Sequence, residues 1–193
     1  MHNQRVVVAG GSRGIGKAIA KSLALDGHRV VVIARNQTQL NDLRTELTRE
    51  SMNLEIVAMD LTDRSAIRAF FESQSEPFDS MIVTAGIARH RELPDILDQD
   101  VDDTIEMNVV VPILCTRAFS RLAMLHQRKG SIVLFSSQLA HVGAAARSVY
   151  SASKAAIEGF TRGAVADLSR HHIRINTICP TFTETEMTRE ALS

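Results

Sequence analysis

Short runs of β-branched residues alternate along this chain with longer stretches of helical periodicity, and that alternation restricts the fold more than any other feature. Candidate strands lie at Val6 to Ala9, Arg29 to Ile33, Glu55 to Met59, Ser80 to Thr84, Ser131 to Phe135 and Arg174 to Ile178. Helical patterns fall between them, at Ile15 to Leu25, Gln37 to Glu50, Arg64 to Ser73, within Asp95 to His126, and at Ser151 to Ser169. Strands that read as apolar on both faces and are joined by helices imply a parallel sheet covered on each side. We therefore expect an α/β fold, a doubly wound parallel sheet in three α/β/α layers. Gly10-Gly11-Ser12, Glu76-Pro77 and Lys129-Gly130 punctuate the elements, and no low-complexity linker or charge block interrupts them, so residues 1–193 are expected to form a single domain.

Composition narrows the partners. The chain has 193 residues with 45% hydrophobic and 23% charged content, enough for a sizeable buried core. Its 22 Lys and Arg balance 22 Asp and Glu, which argues against nucleic acid or a membrane surface and for a small-molecule partner. Cys115 and Cys179 are far apart and outside any C-x-x-C spacing, so neither a disulfide framework nor a metal site is indicated. Because the first five residues run straight into an apolar strand, without the h-region of a signal peptide, a cytoplasmic location is expected. Apolar runs such as Val30 to Ala34 are too short to span a bilayer.

The first strand leads into Gly10-Gly11-Ser12-Arg13-Gly14-Ile15-Gly16 and then directly into a helical pattern. Glycines here let the backbone turn sharply and approach a pyrophosphate, whose charge suits the amide-rich helix N-terminus. This placement, after a strand and before a helix, points to the dinucleotide-binding (Rossmann) variant of the doubly wound sheet. Cofactor choice is read at the end of the second strand, where an acid bonds a free ribose 2′-hydroxyl and an arginine accommodates a 2′-phosphate. The chain has Ala34-Arg35 there, and Arg13 within the loop, so two guanidiniums are available and NADP(H) is expected over NAD(H).

Tyr150 and Lys154 are four residues apart and share one helix face. A phenol ionises near pH 10, and a nearby ammonium stabilises phenolate, which would bring Tyr150 towards the pH at which it exchanges protons. By spacing alone, such a pair is more often one face of an amphipathic helix.

From Val6 to Met187 the sequence resembles the short-chain dehydrogenase/reductase family. The resemblance rests on Ala9, Gly10, Gly14 and Gly16 for the glycine loop, Asp60-Leu61 for the adenine-binding acidic pair, Asn108 in Met107-Asn108-Val109, Ser137 after the fifth strand, and Tyr150 with Lys154 for Y-x-x-x-K. It implies Asn108, Ser137, Tyr150 and Lys154 as catalytic residues. Ser137 would bond the substrate oxygen and Tyr150 would donate its proton as nicotinamide delivers hydride to carbon, with oxidation the reverse. Lys154 would lower the Tyr150 pKa and hold the nicotinamide ribose, and Asn108 would help to hold a water-linked proton path. Together with the loop and the arginines, the expected cofactor contacts are Gly10, Ser12, Arg13, Gly14, Ile15, Gly16, Arg35, Asp60, Leu61, Ala85, Gly86, Tyr150, Lys154, Pro180 and Thr185. Ile178 or Phe182 would pack beside the nicotinamide ring.

The sequence departs from the family pattern in three places. Thr84-Ala85-Gly86 replaces N-A-G, with the Thr84 hydroxyl as substitute brace; Pro180-Thr181 replaces P-G. The family's substrate-covering segment and seventh strand have no counterpart up to Ser193, so a longer chain is expected. Polar residues at Ala88 to Leu93 and at Gln138, His141 and Arg147 suggest a polar or anionic carbonyl or alcohol substrate. Within the family, the sequence looks like the branch containing 3-oxoacyl-(acyl-carrier-protein) reductases. Arg128, Lys129, Arg170 and His171 would then receive an acidic carrier bearing the acyl chain. Sugar or polyol dehydrogenases share these features, and a non-catalytic nucleotide-binding regulator is a third reading. The resemblance also implies a homodimer or homotetramer through the long crossover helices, with Ala155, Ala156, Gly159, Gly163 and Ala164 allowing close approach.

Overall fold

The computed structural model describes residues 3–48 and 54–185. Six strands form one parallel sheet: β1 (Arg5–Ala9), β2 (Arg29–Ala34), β3 (Leu54–Ala58), β4 (Ser80–Val83), β5 (Gly130–Phe135) and β6 (Ile173–Ile178), in the order β3-β2-β1-β4-β5-β6. That order reverses direction between β1 and β4, which opens a crevice at the carboxyl ends of the strands. Register is continuous across it, with Val8 opposite Val32 on one side and Ile82 on the other.

Side-chain alternation splits the core in two. On one face Val6, Val8, Val30 and Val32 pack with Ala20 and Ala24 of α1 (Gly14–Leu25) and with Leu40, Leu43 and Leu47 of α2 (Gln37–Thr48). On the other, Val7, Val31, Met81 and Ile132 meet α3 (Arg64–Glu72), α5 (Val111–Leu125) and α6 (Ser148–Leu168) through Phe71, Phe119 and Ile157. The two-faced apolar reading holds for β1 and β2, but it fails for β5 and β6. In β6 only Ile173 and Ile175 are buried, and Arg174 and Asn176 are exposed. That second face carries Ser131, Val133 and Phe135 of β5, which are half-buried, and Ile178 of β6 beside the two polar residues.

Asp63 caps α3, its carboxylate accepting from the amides of Ser65 and Ala66 at 2.9 and 3.0 Å. α4 (Asp98–Ile105) and α5 form one continuous run through a π turn at Glu106–Val110. By length and composition Asp98–Leu125 could cross a membrane, yet Val111, Cys115, Phe119 and Leu122 are buried in the core, as in the central helix of an α/β protein. The π turn has a local cause. Pro112 has no N–H, so the Asn108 carbonyl four residues earlier lacks its ordinary α-helical donor.

Candidate active site

A cleft of about 360 Å³ opens at the carboxyl edge of the sheet, where β1 and β4 diverge. One end is built by the turn after β1. Gly10 has φ +91°, a conformation that side chains disfavour, and a Cβ there would stand 2.5 Å from the Ala85 nitrogen. Gly16 has no room either, since a Cβ would collide with the Gly10 carbonyl and the Thr84 hydroxyl. Thr84 donates to the carbonyls of Ala9 and Gly10 at 3.2 and 3.1 Å, supplying the brace expected of it. Helix α1 starts after Arg13 without a side-chain cap, so its first amides are left for an anion in the cleft. The Ser12 hydroxyl donates to Gln39 Oε1 at 3.0 Å and ties this loop to α2.

Arg13 and Arg35 both line this end, together with Ser12, Asn36 and Gln39. Arg35 is exposed and lies 4.0 Å from the Asp60 carboxylate, a loose pair that a phosphate can displace. Asp60 itself accepts from the Thr62 amide and hydroxyl at 2.9 and 2.8 Å, and it does not line the cleft. Leu61, buried beside it, does. Of the other expected cofactor contacts, Gly10, Gly14, Ile15, Gly16, Ala85, Gly86, Pro180 and Thr185 all line the cleft. Thr185 faces Gly14 across it, its Cγ2 3.5 Å from where a Gly14 Cβ would stand. Ile178 and Phe182 are largely exposed and do not line it, so the expected packing against the nicotinamide ring is not prepared in this conformation.

Ser137, Tyr150 and Lys154 converge at the opposite end. Ser137 follows β5 in extended backbone, and its hydroxyl accepts from the Leu139 amide at 3.2 Å, capping a short 3-10 turn at Gln138–Ala140. Tyr150 and Lys154 lie in the first two turns of α6, with the Lys154 ammonium 5.6 Å from the Tyr150 ring centre. Lys154 is only 5% exposed and donates to the Phe135 carbonyl at 2.8 Å. Burial without a carboxylate partner pulls its pKa down to about 8.

The expected lowering of the Tyr150 pKa by Lys154 is not what the structure gives. Burial pushes the phenol above its ordinary value, and the opposing pull comes from a hydrogen bond with Ser137 and from the charge of Arg147. Arg147, three residues before Tyr150, has a buried Nη1 with no hydrogen-bond partner, and burial lowers its pKa.

Asn108 is fully buried behind Gly86. Its side-chain oxygen accepts from the Ile87 amide at 2.8 Å, and its nitrogen donates to the Ile87 carbonyl at 2.9 Å and to Ser153 Oγ at 3.0 Å. The side chain is occupied by this clamp on the loop segment following β4. Ser153, in turn, donates to the Tyr150 carbonyl at 2.7 Å, linking the clamp to the catalytic helix. Sequence reasoning passed over Ser153, because a small polar residue in a helix has no distinguishing signal. The polar residues at Arg89 and Arg91 are also less available than expected, since they ion-pair with Asp100 and Asp103.

Comparison with known proteins agrees with this geometry. The short chain dehydrogenase family profile matches residues 4–193. L-xylulose reductase of Caenorhabditis elegans is 35% identical over 188 residues, covering 97% of this chain and 75% of its own. Gluconate 5-dehydrogenase of Gluconobacter oxydans is 32% identical over 192 residues, covering 98% of this chain and 75% of its own. The 3-oxoacyl-(acyl-carrier-protein) reductase of Escherichia coli is 31% identical over 186 residues, covering 95% and 75%. Among solved structures, a gluconate 5-dehydrogenase from Burkholderia cenocepacia in complex with NADP and tartrate superposes with a TM-score of 0.92 at 25% identity, covering all of this chain and 76% of the other. An actinorhodin polyketide ketoreductase variant with NADPH gives 0.92 at 29% identity, covering 99% and 76%.

Proposed function

Because the chain belongs to the short-chain dehydrogenase/reductase family of oxidoreductases, we propose that it is an NADP(H)-dependent enzyme that reduces a small polar carbonyl, or oxidises the matching alcohol, with Tyr150 exchanging the proton. The observation that carries this reading is the single cleft with Arg13 and Arg35 at one end and Ser137, Tyr150 and Lys154 at the other. The glycine turn and the uncapped start of α1 would receive the pyrophosphate, and the two guanidiniums the 2′-phosphate. Bound there, the nicotinamide supplies hydride chemistry. The protein's residues position and protonate. Ser137 holds the substrate oxygen, and Tyr150 passes its proton to that oxygen as the carbon is reduced. Lys154 holds ribose hydroxyls, and the Asn108 carbonyl, which has no α-helical donor at Pro112, accepts from water on the path that reprotonates Tyr150.

A small polar or polyhydroxylated substrate is supported by the similarity to L-xylulose reductase and gluconate 5-dehydrogenase; Arg147, whose charge acts on Tyr150, does not itself line the cleft. The carrier-bound acyl reading has less support: Arg128, one of the cations offered for the carrier, already pairs with Asp79 at 3.0 Å. A homodimer or homotetramer is part of the proposal. Ala155, Ala156, Gly159 and Gly163 form an exposed small-residue face on α6, although Ala164 faces the core. A monomer in light scattering at micromolar concentration would remove that part.

Titration with NADPH and NADH, followed by turnover on sugar ketones, keto acids and β-keto thioesters, tests the rest. We expect tighter NADPH binding that weakens about tenfold or more in Arg35→Ala, since each charge-assisted contact contributes roughly 1.5–3 kcal/mol. Equal affinity for both cofactors would reject the 2′-phosphate assignment, and binding without turnover on every substrate class would favour a regulatory role.

A further inference from the structure

Outside the cleft, tertiary folding gathers three ligating side chains that sequence spacing keeps far apart. His141 ends the 3-10 turn after β5, Glu158 lies on α6 one turn beyond Lys154, and Cys179 immediately follows β6. Their ligating atoms all lie within 4.8 Å of one another. Cys179 Sγ donates to Glu158 Oε1 at 3.1 Å and stands 3.9 Å from His141 Nε2. Thr177 donates to the other carboxylate oxygen, Oε2, at 3.2 Å, which fixes the orientation of Glu158. None of the three residues lines the cleft, and the proposed hydride chemistry uses none of them.

We propose that His141, Glu158 and Cys179 form a zinc-binding site on the rim beside the active cleft. A tetrahedral zinc ion with Zn–S of about 2.3 Å and Zn–N or Zn–O of about 2.0–2.2 Å holds its ligand atoms roughly 3.5 Å apart. The two separations from Cys179 Sγ, 3.1 and 3.9 Å, bracket that value and the third pair lies within 4.8 Å, so side-chain rotations can admit the ion. The donor set is selective. A thiolate and an imidazole suit zinc, whereas calcium and magnesium take oxygen ligands in larger number. On binding, the thiol proton now directed at the carboxylate leaves to solvent, and the metal takes its place between sulfur and oxygen. Thr177 already provides the outer hydrogen bond that such a carboxylate ligand needs. Three protein ligands leave a fourth position for water.

The ion would join the segments after β5 and β6. Those segments also carry Ser137 and Pro180, and otherwise touch through the Ser136 amide to the Ile178 carbonyl at 2.9 Å and the Gln138 amide to the Pro180 carbonyl at 3.0 Å. Zinc should therefore raise the thermal midpoint of the cofactor-free protein.

The test uses the full chain, purified under reducing conditions, stripped of metal and then given zinc or cobalt. We expect one zinc retained per chain after gel filtration, and a cobalt form with a thiolate-to-metal charge-transfer band and tetrahedral visible bands. Cys179→Ser should abolish the charge-transfer band and weaken zinc at least tenfold in competition with a chromogenic chelator, with Glu158→Gln and His141→Ala also weakening it. No retained zinc, a cobalt spectrum without thiolate, or unchanged zinc affinity in Cys179→Ser would each overturn the site. Should Cys179→Ser fail to fold, as judged by its metal-free melting curve, the cobalt spectrum of the unmodified chain decides alone.

Discussion

The two halves of the sheet are built to different specifications. In β1 and β2, Val6 to Ala9 and Val30 to Ala34 are buried on both faces, and the glycine turn projects from the end of that doubly covered layer. In β5 and β6 burial alternates, and the segments carrying Ser137 and Pro180 leave strands whose second face is only partly covered. Close packing holds the nucleotide end, where Gly10 and Gly16 admit no added carbon. Hydrogen bonds across few residues hold the catalytic end, among them Lys154 to the Phe135 carbonyl and Gln138 to the Pro180 carbonyl. On the proposed function, rigid recognition of the cofactor and adjustable placement of the substrate would fall to different parts of one sheet.

Tyr150→Phe sharpens this division most. Loss of the phenolic proton should cut turnover about 10²–10⁴-fold while leaving NADPH affinity within about twofold, because the nucleotide end is untouched. A parallel loss of cofactor binding would mean the two ends are not separable. Next in size is a pair of truncations. Leu40→Ala, in the fully buried layer under α2, should cost about 2–5 kcal/mol in urea unfolding, while Ile178→Ala, at 47% exposure, should stay within about 0.5 kcal/mol. Comparable costs would contradict the difference in burial. Gly10→Ala should destabilise by about 1–3 kcal/mol and weaken NADPH, since both the positive φ and the Ala85 backbone resist it.

The smallest effect concerns pH. Lys154 has a folded pKa of about 8 against 10.5 for the free side chain, so between those values the unfolded chain binds more protons than the native one. Stability from this group therefore rises as pH goes from about 8 to 10.5 and is absent below. Tyr150, raised by burial, acts in the opposite direction only above pH 10. Denaturation midpoints at pH 7.5 and 9.5 should show the rise in the native protein and a flatter profile in Lys154→Met. An equal rise in both proteins would place the titrating group elsewhere.

Much of this architecture was legible beforehand. Each of the six strands begins and ends within one residue of its expected position, because β-branched runs bounded by turn residues have few other uses. The glycine turn was legible for a related reason: only glycine satisfies Gly10's φ and the contact with Ala85. The partly uncovered face of β5 and β6 is not legible in the sequence, since Ser131, Val133 and Ile178 are compatible with either environment. The burial that raises the Tyr150 phenol is not legible either. Spacing along a helix places Lys154 near it, but says nothing of how deeply either group is buried.

By itself the sequence determined the order of elements, the nucleotide turn, and the placing of Tyr150 and Lys154 on one helix, because each depends on neighbours within a few residues. Only the tertiary structure decided which groups are charged and which distant side chains meet. It saturated the Asn108 side chain on Ile87 and Ser153, buried Lys154 against Phe135, and brought His141, Glu158 and Cys179 within reach of one ion. Burial and long-range contact are properties of the packed chain, and local pattern carries no information about the dielectric or the partners that packing creates.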